Sequence, residues 1–469
     1  MAESSYDLVI IGAGSGGLIA ADFAAQLGAR VVLVEKCRIG GDCTWTGCVP
    51  SKALLKAAKV AHEARTARCY GITTGPPVTD MAEVRDYVVA AIQQVYQFER
   101  PEELQQKGID VLLGSARFIS PRSIEVADRI ITSRKFLITT GARAVLPPIA
   151  GLTEVPFVTY EKIFENDRLP DHLVIIGGGP IGSELAQAYQ RLGSQVTIVA
   201  DRLLPKEDQD VRELIGRVFE SEGIRVLKGR AKSVRRNGDG IVVSTGGAEA
   251  RGDLLLVAAG RKPTVEGLDL EKAGVSYSEK GIPVDEKLRS NVRNIYAAGD
   301  VVGSEQFTHF AGWQAFQAVR NALLPASSSG FTELVPRVTF TDPEVAQVGL
   351  AEEQARSEYG DNVKVCYTKM SHVDRAVCEN DQDGFIKIIA KGDGTILGAT
   401  IVAGRAGESL SELIVAIKRK MKVSELAGAI HAYPTYSTGI QQLAADMTIE
   451  KLLSGTSGRI IRGLSKIIR

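Results

Sequence analysis

The chain has 469 residues, with 56 Lys plus Arg against 56 Asp plus Glu, so no global field draws it to nucleic acid or to an anionic membrane. A hydrophobic content of 44% with 48 glycines suits an α/β protein of roughly three domains, and no apolar run is long enough to cross a bilayer. Six cysteines are too few for a disulfide scaffold, and the acidic Glu3 and Asp7 argue against a secretory signal, so a cytoplasmic setting is expected.

In chain order, Leu8 to Ile11 reads as a strand, Gly12-Ala13-Gly14-Ser15-Gly16-Gly17 as a dinucleotide fingerprint, Leu18 to Leu27 as a helix, and Glu35 as the acid ending the next strand. Gly12 permits the tight turn and Gly14 lets backbone approach a pyrophosphate. Gly17 lets helix pack on strand, and Glu35 can accept from ribose hydroxyls.

Cys43 and Cys48 follow in Gly40-Gly41-Asp42-Cys43-Thr44-Trp45-Thr46-Gly47-Cys48-Val49-Pro50-Ser51-Lys52. Five helical steps rise about 7.5 Å, more than the roughly 6.8 Å between Cα atoms that a disulfide tolerates, so a redox pair here forbids continuous helix. Cys43 is expected in a turn and Cys48 near the start of a helix over Val49 to Ala58, where unpaired N–H groups favour a thiolate. The competing readings are a buried structural pair and half of a metal site; metal pairs usually show shorter spacing and a second ligand pair. Trp45 either shapes the pocket or packs. Cys37, Cys69, Cys366 and Cys378 are expected to be inert buried thiols.

Leu173 to Gly182 repeats the fingerprint, with Gly177, Gly179 and Gly182 as its glycines, so the chain holds two dinucleotide-binding folds. In register with Glu35 the second copy has Ala200, followed by Arg202 and Lys206. Loss of the carboxylate and gain of cations favour NADPH over NADH, although Asp201 and Glu207 oppose this, and Arg202 and Lys206 could equally be solvated loop charges.

Together with Thr139-Thr140-Gly141-Ala142, Ala258-Ala259-Gly260-Arg261-Lys262-Pro263, and Tyr296-Ala297-Ala298-Gly299-Asp300, these motifs resemble the FAD-dependent pyridine nucleotide disulfide oxidoreductases over the whole chain. The resemblance implies FAD and NAD(P)H as cofactors, with Gly12, Gly14, Gly17, Glu35, Gly141, Gly260 and Asp300 in cofactor-binding motifs. It implies Cys48 as the flavin-facing thiolate, Cys43 as the exchange thiol, and Lys52 paired with Glu184 beside the flavin.

The departure lies in Ile430-His431-Ala432-Tyr433-Pro434-Thr435-Tyr436-Ser437-Thr438. Disulfide reductases of the family carry a histidine directly before that proline and a glutamate after the serine; here Tyr433 and Thr438 stand instead. With an ordinary pKa of about 10, a phenol donates but is a poor acceptor near neutrality, so glutathione or lipoamide turnover should be slow. His431 and Tyr436 are the neighbouring groups that could assist. Mercuric reductases carry tyrosine at this position, and Asp374 to Lys387 is similar to that branch. An N-terminal metal-carrier domain and a C-terminal cysteine pair are both missing from the pattern. The expected function is electron transfer from NADPH through flavin and the Cys43–Cys48 pair to a soft metal ion such as Hg(II), a quinone or an unusual disulfide. The alternatives are a dihydrolipoamide dehydrogenase-like or glutathione reductase-like enzyme, and a redox sensor without multiple turnover.

The expected organisation is a FAD-binding domain over 1–150 and 281–330, an NAD(P)H-binding domain over 151–280, and an α+β dimerisation domain over 331–469. In the homodimer that the family implies, Tyr433 would approach the dithiol of the other subunit. Residues 459–469 read as a short basic amphipathic helix, either packed on the dimer or contacting a membrane surface or an acidic partner.

Overall fold

The computed structural model describes residues 4–325, 327–454 and 458–461, and the chain divides into two compact units. The first comprises Met1–Asp201 and Val226–Thr332; the second comprises Arg202–Arg225 and Glu333–Arg469. The architecture is mixed α/β, with two mainly parallel sheets and a small three-stranded antiparallel sheet in the first unit and an antiparallel sheet in the second.

The first sheet is built on β1 (Ser4–Ile11), β2 (Val31–Glu35), β3 (Ile109–Leu113) and β6 (Arg129–Ile138), which run parallel in the order β3-β2-β1-β6. β4 (Ala116–Ser120) and β5 (Ser123–Val126) extend it antiparallel. Leu8, Val9, Ile10, Val32 and Leu33 are fully buried, the uninterrupted apolar run expected of strands covered on both faces. Each such side chain contributes about 1.5–3 kcal/mol by leaving water. β1 ends at Gly12, whose φ of 103° turns the chain into α1 (Ser15–Gln26). A Cβ on Gly17 would overlap the Gly12 carbonyl oxygen, so glycine at 17 sets how closely helix and turn approach.

The second parallel sheet repeats this plan with Gln195–Ala200, His172–Ile176, Leu254–Val257 and Val158–Thr159 side by side. Gly177 has φ 123°, helix Pro180–Leu192 follows, and a Cβ on Gly182 would again overlap the carbonyl of the first glycine. The repeat seen in sequence is thus a repeat of backbone geometry.

In the second unit, strands Arg337–Thr339, Glu344–Gly349, Ile396–Ala403, Phe385–Lys391 and Val363–Lys369 form one antiparallel sheet. Helices Ala406–Lys418 and Thr438–Leu453 contribute Leu410, Leu413, Ile440 and Leu443 to its core. Lys387 lies buried in this sheet, its Nζ 2.7 Å from Asp208 Oδ2 and 2.8 Å from Asp210 Oδ2 at the start of helix Gln209–Ser221. Burying an ammonium this deeply is tolerable only because both carboxylates meet it. Lys387→Met should therefore cost on the order of 3 kcal/mol in urea unfolding of this unit. Asp208→Asn in the Lys387→Met background should recover part of the loss, because it removes one of the carboxylates, Asp208, Asp210 and Glu352, that faced the ammonium.

Candidate functional site

Two glycines with positive φ, Gly40 (104°) and Gly41 (58°), lead into α2 (Gly41–Trp45), a single turn that carries Cys43. Cys43 is therefore helical and not, as the spacing suggested, in a turn. The break falls at Thr46 and Gly47, after which α3 (Cys48–Thr66) begins at Cys48 itself. Splitting the segment into two helices lets the thiols meet where one continuous helix would hold them apart. Trp45 packs: its Nε1 donates to Ile39 O at 2.7 Å, Tyr96 lies with ring centroid 4.9 Å away, and the Arg38 guanidinium sits over the ring.

Cys43 and Cys48 are free thiols in hydrogen-bond contact. Cys48 Sγ lies 3.2 Å from Thr308 Oγ1, and the Cys43 sulfur meets both Thr308 and Ser15. Ser15 opens α1, Cys48 opens α3, and Thr308 opens helix Thr308–Leu323. Three helix N-termini converge on two sulfurs, an arrangement that favours negative charge there. The hydrogen bond from Cys43 lowers the Cys48 pKa to about 6, aided by Thr308 and the positive charge of Lys52, against burial and Glu184. The same hydrogen bond to Cys48, with burial, pushes the Cys43 thiol up. The opposite shifts favour the thiolate on Cys48 and the proton on Cys43. Ser15 and Thr308 escaped the sequence reading; their one signal was a hydroxyl at the start of an apolar helical run.

Lys52 is one turn beyond Cys48 on α3, and its Nζ lies 2.9 Å from Glu184 Oε2, a carboxylate that is 8% exposed. At the first fingerprint, Glu35 accepts from Ala13 N through Oε2 and from Cys37 N through Oε1, both at 2.8 Å, which orients the carboxylate beside the glycine turn. A Cβ on Gly14 would meet nothing nearer than Gly41 Cα at 3.9 Å, and Gly141 and Gly260 have positive φ with open space at the Cβ position. This open, glycine-lined backbone fits a dinucleotide. Asp300 is buried, with Oδ2 2.7 Å from Arg261 Nη1. In the second fold Gly179 also faces open space and Ala200 is buried at the end of its strand. Arg202 and Lys206 follow as exposed residues of the second unit.

Also in the second unit, Tyr433 is 69% exposed and its hydroxyl donates to Asp374 Oδ2 at 2.6 Å, which raises the phenol pKa. Tyr436 is buried, its hydroxyl 2.7 Å from Asp381 Oδ2 and 3.2 Å from Glu379 Oε2. His431 Nε2 lies 2.7 Å from Glu412 Oε2. Thr438 is buried and donates to the Thr435 carbonyl. The remaining cysteines differ from expectation: Cys37, Cys69 and Cys378 are exposed, and Cys366, on the strand Val363–Lys369 that ends its sheet, is half-buried against the core of the second unit. Of the basic tail, Arg459 and Ile460 are exposed, and residues 462–469 lie outside the described residues. Among the described residues no helix is long and apolar enough to cross a membrane.

Residues 6–315 match the pyridine nucleotide-disulphide oxidoreductase family, and residues 335–444 match its dimerisation domain. The chain belongs to this family. Its members use FAD and NAD(P)H. It is 33% identical over 461 residues to a mercuric reductase of Staphylococcus aureus, covering 96% of this chain and 84% of that protein. It is 36% identical over 461 residues to a dihydrolipoyl dehydrogenase of Thermus scotoductus, covering 94% and 97%. The HOCl-induced flavoprotein disulfide reductase RclA of Escherichia coli superposes with a TM-score of 0.86 at 30% identity, covering 94% of this chain and 99% of RclA. The chain is thus a flavoprotein disulfide oxidoreductase of the mercuric reductase-like branch.

Alkylation of the reduced enzyme, followed by mass spectrometry against pH, should show Cys48 half-reactive near pH 6, with the thiolate formed above that value and lost below it. Cys43→Ala removes the largest lowering influence and should move the midpoint toward the ordinary thiol value of about 8.5. An unchanged midpoint in the variant would refute the hydrogen bond as its cause.

Proposed function

We propose that this family member takes electrons from NADPH and delivers them, through FAD and the Cys43–Cys48 pair, to a soft metal ion such as Hg(II), a quinone or an unusual disulfide. Bound FAD supplies the two-electron relay between nicotinamide and sulfur. Glu35 and the first fingerprint would hold its adenosine ribose and pyrophosphate, Asp300 its ribityl chain, and the Lys52–Glu184 pair would set the charge beside its reactive ring. Gly177, Gly179 and Gly182 would admit NADPH, with Arg202 and Lys206 on its 2′-phosphate. Cys48 keeps the thiolate, and Cys43 exchanges with the acceptor. The match to the family's dimerisation domain supports a homodimer, in which Tyr433 would serve the dithiol of the other subunit, and a cytoplasmic setting suits its reduced thiols.

The observation that carries this choice of acceptor is the Tyr433 hydroxyl donating to Asp374. A phenol already committed as donor and raised in pKa does not take up protons near neutrality, so the site lacks the acid–base partner that repeated disulfide exchange uses. A metal held by two thiolates has no such need. Similarity to mercuric reductases, and to RclA, also solved as a Cu(II) complex, supports a metal acceptor. One observation favours the disulfide-reductase alternative: His431 and Glu412 form a histidine–carboxylate pair two residues before Tyr433.

Anaerobic reduction by NADPH, followed by stopped-flow reoxidation with Hg(II) in excess thiol, a quinone, oxidised glutathione and lipoamide, tests the reading. Fast multiple turnover is expected on the metal or quinone; slow reoxidation by every acceptor would leave a redox sensor. Tyr433→His should raise lipoamide or glutathione turnover at least about tenfold. Loss of existing disulfide turnover in His431→Ala would instead establish the alternative. Arg202→Ala with Lys206→Ala should raise KM for NADPH about tenfold or more and leave KM for NADH within about twofold; equal effects on both nucleotides would exclude these residues from 2′-phosphate binding.

A further inference from the structure

The residue before Cys43 is tied down more heavily than a helix start requires. Gly40 N donates to Ala13 O at 2.8 Å, and a Cβ on Gly41 would lie 2.8 Å from Gly14 Cα, so the turn entering α2 is stacked on the first fingerprint. Asp42 comes next. Its Oδ2 accepts from Arg261 Nη2 at 2.8 Å and from the Tyr160 hydroxyl at 3.1 Å, while Arg261 Nε donates to that same hydroxyl at 3.2 Å. The other arm of the guanidinium reaches Asp300 Oδ2 at 2.7 Å. Side-chain exposure is 19% for Arg261 and 9% for Asp300 but 40% for Asp42, so the Asp300 arm of the fork is desolvated while the Asp42 arm opens toward solvent.

We propose that Asp42 is a positioning residue for the exchange thiol, and that Arg261 makes it one by clamping the Cys43 turn to Asp300. The proposal rests on the roles given above to Cys43 and Asp300. A guanidinium is a planar fork with fixed donor directions, so gripping one carboxylate with each arm fixes the distance between them. One carboxylate belongs to the proposed flavin cradle and the other is covalently next to Cys43. α2 is one turn long and has little internal cohesion, because a helix this short is held by its tertiary contacts. Cutting the Asp42 contact therefore frees the Cys43 end of the clamp and leaves Arg261 with a single carboxylate beside the cradle. Two sites sharing one rigid connector are coupled reciprocally: loosening one changes binding at the other.

The test uses the full chain with Asp42→Asn, which keeps the side-chain volume, and Arg261→Lys, which keeps the charge and loses the fork. FAD affinity is read by titrating the deflavinated protein with FAD, and the two half-reactions are read by stopped flow. Both variants should bind FAD about fivefold or more weakly, although residue 42 is not a proposed FAD ligand. FAD-saturated Asp42→Asn should accept electrons from NADPH within twofold of the wild-type rate yet pass them to the acceptor about tenfold more slowly, as expected when a reacting group is displaced by a fraction of an ångström. FAD affinity and both half-reaction rates within twofold of wild type would overturn the proposal. So would a parallel fall in both half-reactions with a lowered Tm, which would mark Asp42 as structural. A wild-type protein that NADPH does not reduce would overturn the proposed function alone, because the FAD affinities still decide the clamp.

Discussion

One hydrogen bond, from the Cys43 thiol to the Cys48 sulfur, is the interaction on which the site depends. It favours the proton on Cys43 and the negative charge on Cys48, although the two side chains are chemically identical. It can form only if the thiols approach more closely than a continuous helix allows. The break at Thr46 and Gly47, between α2 and α3, meets that requirement, and much of the surrounding structure maintains it.

The maintenance comes from backbone contacts as much as from side chains. Gly40 and Gly41 adopt left-handed conformations, and Gly41 presses against Gly14 of the fingerprint. The dithiol is thereby mounted on the loop that the family uses for its flavin. The same compactness brings Ser15 and Thr308, from helices far apart in sequence, onto the sulfurs. Charge at the site is then set by convergent helix ends and one lysine, with Glu184 as its counter-ion.

The second unit follows a different logic. Its sheet is antiparallel, its buried Lys387 is compensated by Asp208 and Asp210, and two of its phenol hydroxyls are held by carboxylates: Tyr433 by Asp374, Tyr436 by Asp381 and Glu379. Where a disulfide reductase would carry a histidine free to move protons, this chain presents a phenol held as a donor.

Fold class, the two dinucleotide folds and the dithiol were legible in the sequence, because glycines at fixed offsets and a strand–glycine–helix order have local causes: each glycine answers a backbone requirement within a few residues. Four features were not. The helical state of Cys43, the exposure of Cys37, Cys69 and Cys378, the convergence of Ser15 and Thr308 on the sulfurs, and the Asp42–Arg261–Asp300 fork all depend on partners tens to hundreds of residues away. Local sequence carries no record of those partners. The residues thus determined which chemistry the chain can hold and pointed to Cys48 as the thiolate through its place at a helix start, whereas tertiary packing decided which groups meet the two sulfurs, because hydrogen bonding and desolvation act through distances that only the folded chain defines.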